Sequence, residues 1–128
     1  MKRSAFLQPL SREHHGALSL ASACARAAQS GDAAKIAETC ERAVRAFAVE
    51  LEPHFRIEER SLLPRLLDAE AQPLVQRTLD EHRLLRALLD GLGRNDAEAL
   101  AEFGAQLAAH VRFEERTLFP AIERALEV

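Results

Sequence analysis

Residues 54–64 read HFRIEERSLLP, and residues 110–120 read HVRFEERTLFP. The two stretches begin 56 residues apart, and the apolar residues upstream of them repeat at the same distance. A weaker correspondence relates the Glu-His pair at 13–14 to the Glu-His pair at 81–82. This repetition predicts that the chain consists of two related halves, each of which forms a helical hairpin.

The composition favours an all-helical protein. The 128 residues are 48% hydrophobic, with only five glycines and five prolines, and they are rich in residues of high helix propensity. A chain of this length is expected to form a single domain, here residues 1–128. The net charge of -3 provides no basic surface for phosphate groups, so neither nucleic acid nor a membrane is an expected partner.

The first two helices can be placed from their termini. The first is predicted to run from about Ser11, a good N-cap residue, to the Ser-Gly break at 30–31. Asp32 can cap the second helix, which should continue to about Leu63. Because Pro53 lacks a backbone N–H group, the carbonyl of Val49 loses its hydrogen-bond partner. We therefore expect this helix to bend near Val49.

The other two helices have similar signals. Pro73 suits the first turn of the third helix, which should end at Gly91. Asn95 or Asp96 is predicted to cap the fourth helix, which should run to about Pro120 and resume as a short C-terminal turn. Since the connections are short, we predict an up-down-up-down, antiparallel four-helix bundle with approximate two-fold symmetry between its halves.

Polar residues interrupt the apolar stripes of the second and fourth helices. Steps of three or four residues place His54 and Glu58 among inward-facing apolar residues. His110 and Glu114 occupy the matching positions. Residues four apart on a helix have Cβ atoms about 5–6 Å apart, so each pair can reach one site. The accompanying apolar positions are Val44, Phe47, Leu51 and Leu62 on the second helix and Leu100, Phe103, Leu107 and Leu118 on the fourth.

The first and third helices each add one inward histidine, His14 and His82. Burying four imidazoles and two carboxylates without compensation would cost on the order of several kcal/mol. Metal ions would satisfy them, because imidazole suits iron, zinc, copper or nickel and carboxylates can bridge two ions. The predicted ligands of this metal pair are His14, His54, Glu58, His82, His110 and Glu114.

Several other polar residues are weaker candidates. His15 lies about 100° around the helix from its neighbouring histidine, at the edge of the apolar stripe, and is less favoured as a ligand. Glu59 is predicted to belong to a solvated face with helix salt bridges, and the same interpretation is less settled for Glu115. Cys24 and Cys40 lack metal or redox spacing and are predicted to be small buried residues.

Four motifs follow one another along the chain: Glu13-His14, His54-x-x-x-Glu58, Glu81-His82 and His110-x-x-x-Glu114. This pattern resembles the hemerythrin-like, HHE cation-binding family over essentially the whole chain. The resemblance implies an up-down-up-down bundle with an oxo- or hydroxo-bridged di-iron centre, which binds O2 or acts in oxygen, nitric oxide or iron handling. It also implies that the four histidines are terminal ligands and that Glu58 and Glu114 are bridging carboxylates.

The sequence departs from the oxygen-carrying members of that family on the third helix. Those proteins use an HxxxH pair, whereas Arg86 stands four residues after His82. We expect Arg86 to pair with a carboxylate or to line an anion-accessible cavity, and His15 could replace the missing ligand. Ferritin-like oxidases use ExxH pairs and more acidic ligands, so the histidine-rich set favours ligand binding over oxidative chemistry.

The resulting expectation is a metal-binding protein that binds or senses O2, nitric oxide or reactive oxygen species such as peroxide, or handles iron. A di-iron peroxidase or ferroxidase, and a zinc-binding bundle without redox function, are the alternatives. The N-terminal residues lack the apolar core of a signal peptide, and no stretch approaches the length that spans a bilayer. We therefore expect a cytoplasmic protein, either a monomer or a small homo-oligomer.

Overall fold

The computed structural model describes residues 3–126, and within them the chain forms four long helices and no strand. The helices cover residues 8–30 (α1), 33–62 (α2), 72–93 (α3) and 97–126 (α4). Short connections join them, and consecutive helices pack antiparallel. The prediction of an all-helical, antiparallel bundle is confirmed, whereas the two-fold relation between the halves stays a prediction.

Helix α1, Gln8–Ser30, is α-helical throughout, and the other three helices are made of several segments. The α-helical segments are Ala33–Ala46 and Glu52–Ile57 in α2, Gln72–Ala87 and Leu89–Gly93 in α3, and Ala97–Phe113 and Phe119–Leu126 in α4. The π turns are Phe47–Leu51 and Glu58–Leu62 in α2 and Glu114–Leu118 in α4. Two 3₁₀ turns, Leu63–Arg65 and Ala69–Ala71, lie between α2 and α3.

The predicted caps that separate the helices are present. Gly31 ends α1 with φ of 67°, a left-handed conformation that glycine adopts without strain. The side chain of Asp32 accepts hydrogen bonds from two backbone N–H groups of α2, and Asp96 accepts one at the start of α4. The predicted start of α1 at Ser11 was wrong by three residues, because Pro9 occupies the first turn and the helix begins at Gln8.

The π turns explain how α2 and α4 accommodate their prolines. Before Pro53, the N–H of Glu52 donates to the carbonyl of Phe47, five residues earlier. Before Pro120, the N–H of Phe119 donates in the same way to the carbonyl of Glu114. The prediction that the fourth helix stops at Pro120 and resumes was therefore wrong, because the wider turn lets the helix continue through the proline.

The apolar core consists of two clusters separated by a layer of polar side chains. Ala17 and Leu107 belong to the larger cluster, and Leu10 and Leu118 to the smaller one. On α1, His14 lies between Leu10 and Ala17, and the polar residues of α4 lie between Leu107 and Leu118. The two apolar clusters thus shield the polar layer from bulk water on either side.

The predicted apolar stripes are largely correct. All four apolar positions of α4 are buried, but Val44 of α2 is 36% exposed. Ala43 takes the inward position instead, because it lies four residues before the buried Phe47, on the same face of the helix. Cys24 and Cys40 are fully buried, as expected. No helix in the described part of the chain has the length and apolar character needed to cross a membrane.

Candidate metal centre

The six residues predicted as ligands come together in the polar layer, and all of them are buried. They form two overlapping groups in which one ligand atom from each residue lies within 4.8 Å of the others. Glu58 and Glu114 belong to both groups, whereas each histidine belongs to one. The groups are His14, His54, Glu58 and Glu114, and Glu58, His82, His110 and Glu114.

Glu58 lies between the two groups. Its Oε2 atom is 2.9 Å from Nε2 of His54, and its Oε1 atom is 2.9 Å from Nε2 of His82. The carboxylate therefore faces one histidine of each group. This is the position that a carboxylate needs in order to bridge two ions.

Glu114 has the corresponding position on α4. Its Oε1 atom lies 2.7 Å from Nε2 of His14 and 3.5 Å from Nε2 of His54. Its Oε2 atom lies 3.1 Å from Nε2 of His110. Both shared glutamates are the first residues of π turns, a distortion that is frequent at functional sites.

The inner atoms of this cluster fit a pair of metal ions. Among the described residues, His54, His82 and His110 leave Nε2 without a hydrogen bond. Both oxygens of Glu58 and one of Glu114 are also unpaired, although the nitrogens and oxygens lie 2.9 to 3.5 Å apart. Buried polar atoms without partners are costly, and metal ligation is the interaction that converging imidazole and carboxylate groups can share.

A second layer of glutamates surrounds the histidines. The Nδ1–H group of every histidine in the cluster donates to a carboxylate, so that each ring is held from outside. The pairs are His14 with Glu115 at 2.6 Å, His54 with Glu13 at 3.0 Å, His82 with Glu59 at 2.6 Å, and His110 with Glu81 at 2.7 Å. Since a carboxylate accepts the hydrogen bond from each Nδ1–H group, the Nε2 atom is the ring nitrogen that faces inward.

Of these outer glutamates, the sequence left only Glu115 open as a participant in the site. The prediction that Glu59 belongs to a solvated face was wrong, because it accepts hydrogen bonds from His82 and Arg86. Glu115 likewise accepts hydrogen bonds from Ser11 and His14. The signal that could have found them is adjacency, because each outer glutamate stands directly beside an inner residue in the sequence.

The remaining candidates are also resolved by their contacts. His15 is exposed, so it does not replace a fifth histidine. Arg86 pairs with two carboxylates, Glu52 and Glu59, which confirms the expectation that it pairs with a carboxylate. It stands outside the inner group of six and contacts it through Glu59.

Without bound metal, the cluster strongly perturbs the pKa values of its members. Burial alone would lower the pKa of His54, but the Glu114 and Glu58 carboxylates raise it to about 11. Burial would likewise lower the pKa of His110, but the Glu114, Glu81 and Glu58 carboxylates together raise it to about 10. Burial and the negative charge of Glu114 raise the pKa of Glu58. For Glu114, burial is outweighed by His110 and its other partners, which hold the pKa well below its ordinary value.

A cavity of about 170 Å³ lies against one side of the cluster. His14, His54, His110 and Glu114 form its polar wall, and Arg12, Glu13 and Glu50 also line it. Its apolar wall consists of Ala17, Leu20, Leu51, Phe55, Leu107 and Val111. The sequence did not predict this cavity, whose space depends on how α1, α2 and α4 pack.

A helical bundle whose core holds two overlapping groups of buried histidines and glutamates has the arrangement of a protein that binds two metal ions. The chain belongs to the family described as hemerythrin HHE cation binding domain, whose model matches residues 6–122. The resemblance recognised in the sequence is thereby confirmed. Comparison with curated proteins and with solved structures found no match.

Proposed function

We propose that this protein holds a non-haem di-iron centre and binds O2, nitric oxide or peroxide there. The observation that carries the proposal is the pair of shared carboxylates, since Glu58 and Glu114 each face histidines of both groups. Two histidines and shared carboxylates around each ion form a nitrogen and oxygen donor set of the kind that leaves coordination positions open in non-haem iron proteins. The same four donors would complete the tetrahedral coordination of a zinc ion, so zinc here would bind no further ligand, and metal analysis separates the two cases.

The cavity supports a small ligand. Its polar wall contains three histidines of the cluster, and its apolar wall suits a small uncharged molecule such as O2 or nitric oxide. A ligand in this space would reach the cluster from the His14 and His54 side. The same space could admit iron during loading, past Glu13 and Glu50, which is the role expected of a protein that handles iron.

The protein supplies orientation and isolation, and bound iron would supply reversible redox chemistry. The outer carboxylates fix each imidazole ring with its Nε2 atom inward. The two apolar clusters on either side limit access of water to the polar layer.

The proposal is tested by adding two equivalents of Fe(II) to the metal-free protein without oxygen and then titrating with nitric oxide or O2. We expect a new visible absorption band that saturates at one ligand molecule for each iron pair. His54→Ala should lose the response, and His15→Ala, which alters an exposed neighbour, should retain it. No spectral change in the wild type would overturn the proposal, as would zinc in place of iron in protein from its natural host.

Steady consumption of peroxide or Fe(II) by the loaded protein would instead identify the enzyme alternative. Glu114→Ala should abolish that turnover, because Glu114 is shared by both groups of the cluster. The two outcomes are distinguished by stoichiometry, since binding ends after one equivalent and turnover continues.

A further inference from the structure

The outer carboxylates on the two sides of the cluster differ in how firmly they are held. Beside His82 and His110, the outer side chains of Glu59 and Glu81 are 23% and 21% exposed. Beside the other pair of histidines, Glu115 is 32% exposed and Glu13 is 50% exposed. Glu115 is also contacted by Ser11 at 2.7 Å and by Arg3 at 3.5 Å, so Glu13 is the least supported of the four outer carboxylates.

Arg86 provides the strongest of these supports. Its Nε and one terminal nitrogen donate to both oxygens of Glu52, at 2.7 and 2.8 Å. Its other terminal nitrogen donates to Oε2 of Glu59 at 2.9 Å, and the same oxygen accepts the Nδ1–H of His82 at 2.6 Å. A forked guanidinium gives bidentate, charge-assisted hydrogen bonds of defined geometry. Arg86, from α3, thus fixes two glutamates of α2 and, through Glu59, the ring of His82.

The ring of His82 is also confined by packing. It is fully buried and stacks on Phe55 with centroids 3.9 Å apart and an interplanar angle of 10°. The guanidinium of Arg86 lies 5.7 Å from the centre of the same Phe55 ring. Rotation of this imidazole away from Glu58 would therefore require Phe55, Glu59 and Arg86 to move together.

The opposite side of the cluster is more open. His54 lines the cavity, and its outer carboxylate, Glu13, also lines it. Glu13 is half exposed and makes a single contact with the ring at 3.0 Å, and no arginine is paired with it among the ion pairs of residues 3–126. His110 also lines the cavity, but His82 and Glu59 do not.

We propose that Arg86 is a positioning residue for His82, and that it makes the ion held by His82 and His110 the firmly bound member of the pair. The ion held by His14 and His54 is then the exchangeable one, which leaves and enters through the cavity. This inference rests on the proposed metal pair and adds an order of release to it. Loss of an outer partner of a metal-binding histidine typically lowers metal affinity about 10- to 100-fold.

The test uses zinc, which avoids redox chemistry, with elemental analysis after dialysis against a chelator at graded concentrations. Wild-type protein should retain one zinc ion per chain over a range in which the second has been lost. His54→Ala should retain the firmly bound ion, and His82→Ala should lose it first. Cobalt added at one equivalent gives an absorption spectrum that reports the surroundings of the occupied position.

Arg86→Met should raise the dissociation constant of the firmly bound ion about tenfold or more and leave that of the exchangeable ion nearly unchanged. It should also alter the one-equivalent cobalt spectrum. Arg86→Lys should recover part of the affinity, because a lysine can contact only one carboxylate well. Arg83→Met is the matched control, since Arg83 is an exposed arginine of the same helix that pairs with Asp80.

The ratio of the two dissociation constants separates a positioning role of Arg86 from a general loss of stability. A general loss of stability would weaken the binding of both ions alike. If Arg86→Met does not fold, Glu52→Gln loosens the same arginine and should shift the ratio in the same direction. Equal release of both ions by the wild type, or an unchanged ratio of dissociation constants in Arg86→Met, would overturn this inference. The proposal that the protein binds two metal ions would still stand. A wild-type protein that binds no metal would overturn the proposed function as well.

Discussion

His14 and Glu115 come from opposite ends of the chain, and the Nδ1 atom of the histidine lies 2.6 Å from a carboxylate oxygen of the glutamate. The Nε2 atom of the same ring lies 2.7 Å from Glu114, the residue just before Glu115. One imidazole thus contacts two consecutive glutamates of α4, one shared by both groups and one outside them. Glu115 can therefore influence the inner cluster through the ring of His14.

Glu115→Gln should therefore weaken metal binding. The amide keeps the shape of the side chain but removes the charge that favours a fixed Nδ1–H on His14, so we expect affinity to fall about tenfold or more. Zinc titration in competition with a chromophoric chelator measures the change. Glu102→Gln is the control, because Glu102 lies exposed on the same helix. Equal affinity in both variants would assign Glu115 to the solvated face of α4 with no role at the site.

Replacing an inner histidine should have a larger effect. His110→Ala and His54→Ala each remove one nitrogen that faces a shared carboxylate, at 3.1 and 2.9 Å. We expect the metal content to fall from two ions per chain towards one or none, whereas His15→Ala should keep two. Elemental analysis of protein reconstituted under identical conditions gives the result. Full occupancy in both alanine variants would place the metal site elsewhere.

The sequence was sufficient for the inner cluster because helical periodicity governs it. His54 and Glu58 are four residues apart within an apolar stripe, and this spacing alone predicts that both face inward. The same argument identified His110 and Glu114, and all four are buried. The argument failed for Val44. Steps of three or four residues do not distinguish two neighbouring positions at the edge of the apolar stripe, and Ala43 is the buried one.

Helical periodicity could not predict the outer carboxylates or the cavity. Glu59 and Glu115 lie one residue beyond a glutamate of the inner cluster, where a regular helix turns them about 100° away from the core centre. They reach histidines of other helices, so their role depends on the distance between helices and not on the period of their own helix. Glu81 and Glu13 contact histidines 29 and 41 residues away, and no local pattern encodes such pairings.

The metal-free protein should lose stability as the pH rises above neutral. The folded-state pKa values of His54 and His110, about 11 and about 10, lie above the ordinary value of roughly 6.5. A group whose pKa is raised by folding contributes stability that is complete below its unfolded value and is lost as the pH rises through its folded value. Glu58, whose pKa is also raised, acts in the same direction at lower pH. Glu114, whose pKa is lowered, acts oppositely, and its contribution is lost on acidification.

Urea unfolding of the metal-free protein between about pH 7 and pH 10 would measure this dependence. The free energy of unfolding should decline across the interval, and the decline should be smaller in His54→Ala. Since metal binding requires neutral histidines, zinc should bind more tightly at higher pH and release protons, which weakly buffered titrations detect. A flat profile for the metal-free protein would show that the histidines are already neutral at pH 7.

Gly104 and Gly16 should respond oppositely to alanine. At Gly104 the added Cβ would lie 2.8 Å from the carbonyl oxygen of Ala21, so α1 and α4 must separate, and we expect a cost of about 1–3 kcal/mol. At Gly16 the added Cβ meets nothing within 4 Å, and alanine should stabilise the helix by roughly 0.5–1 kcal/mol. Chemical denaturation of the two variants gives both values, and a neutral Gly104→Ala would mean that the helices separate without cost.

Removal of metal should destabilise the protein without unfolding it completely. The inner nitrogens and oxygens that lack hydrogen bonds would be left facing one another, and protonation of the histidines can compensate only in part. Metal present at about 100 times its dissociation constant contributes roughly 2.7 kcal/mol to stability. For a chain of this size, that corresponds to a rise of several degrees in Tm.

Thermal unfolding followed by circular dichroism, before and after dialysis against a chelator, measures this contribution. The double variant His54→Ala/His110→Ala serves as the control, because the chelator should not change its Tm if the cluster is the metal site. Re-addition of zinc or iron should restore the Tm of the wild type only. An unchanged Tm in metal-free wild-type protein at neutral pH would mean that the His and Glu side chains satisfy one another unaided. The unpaired atoms of the polar layer would then no longer argue for metal.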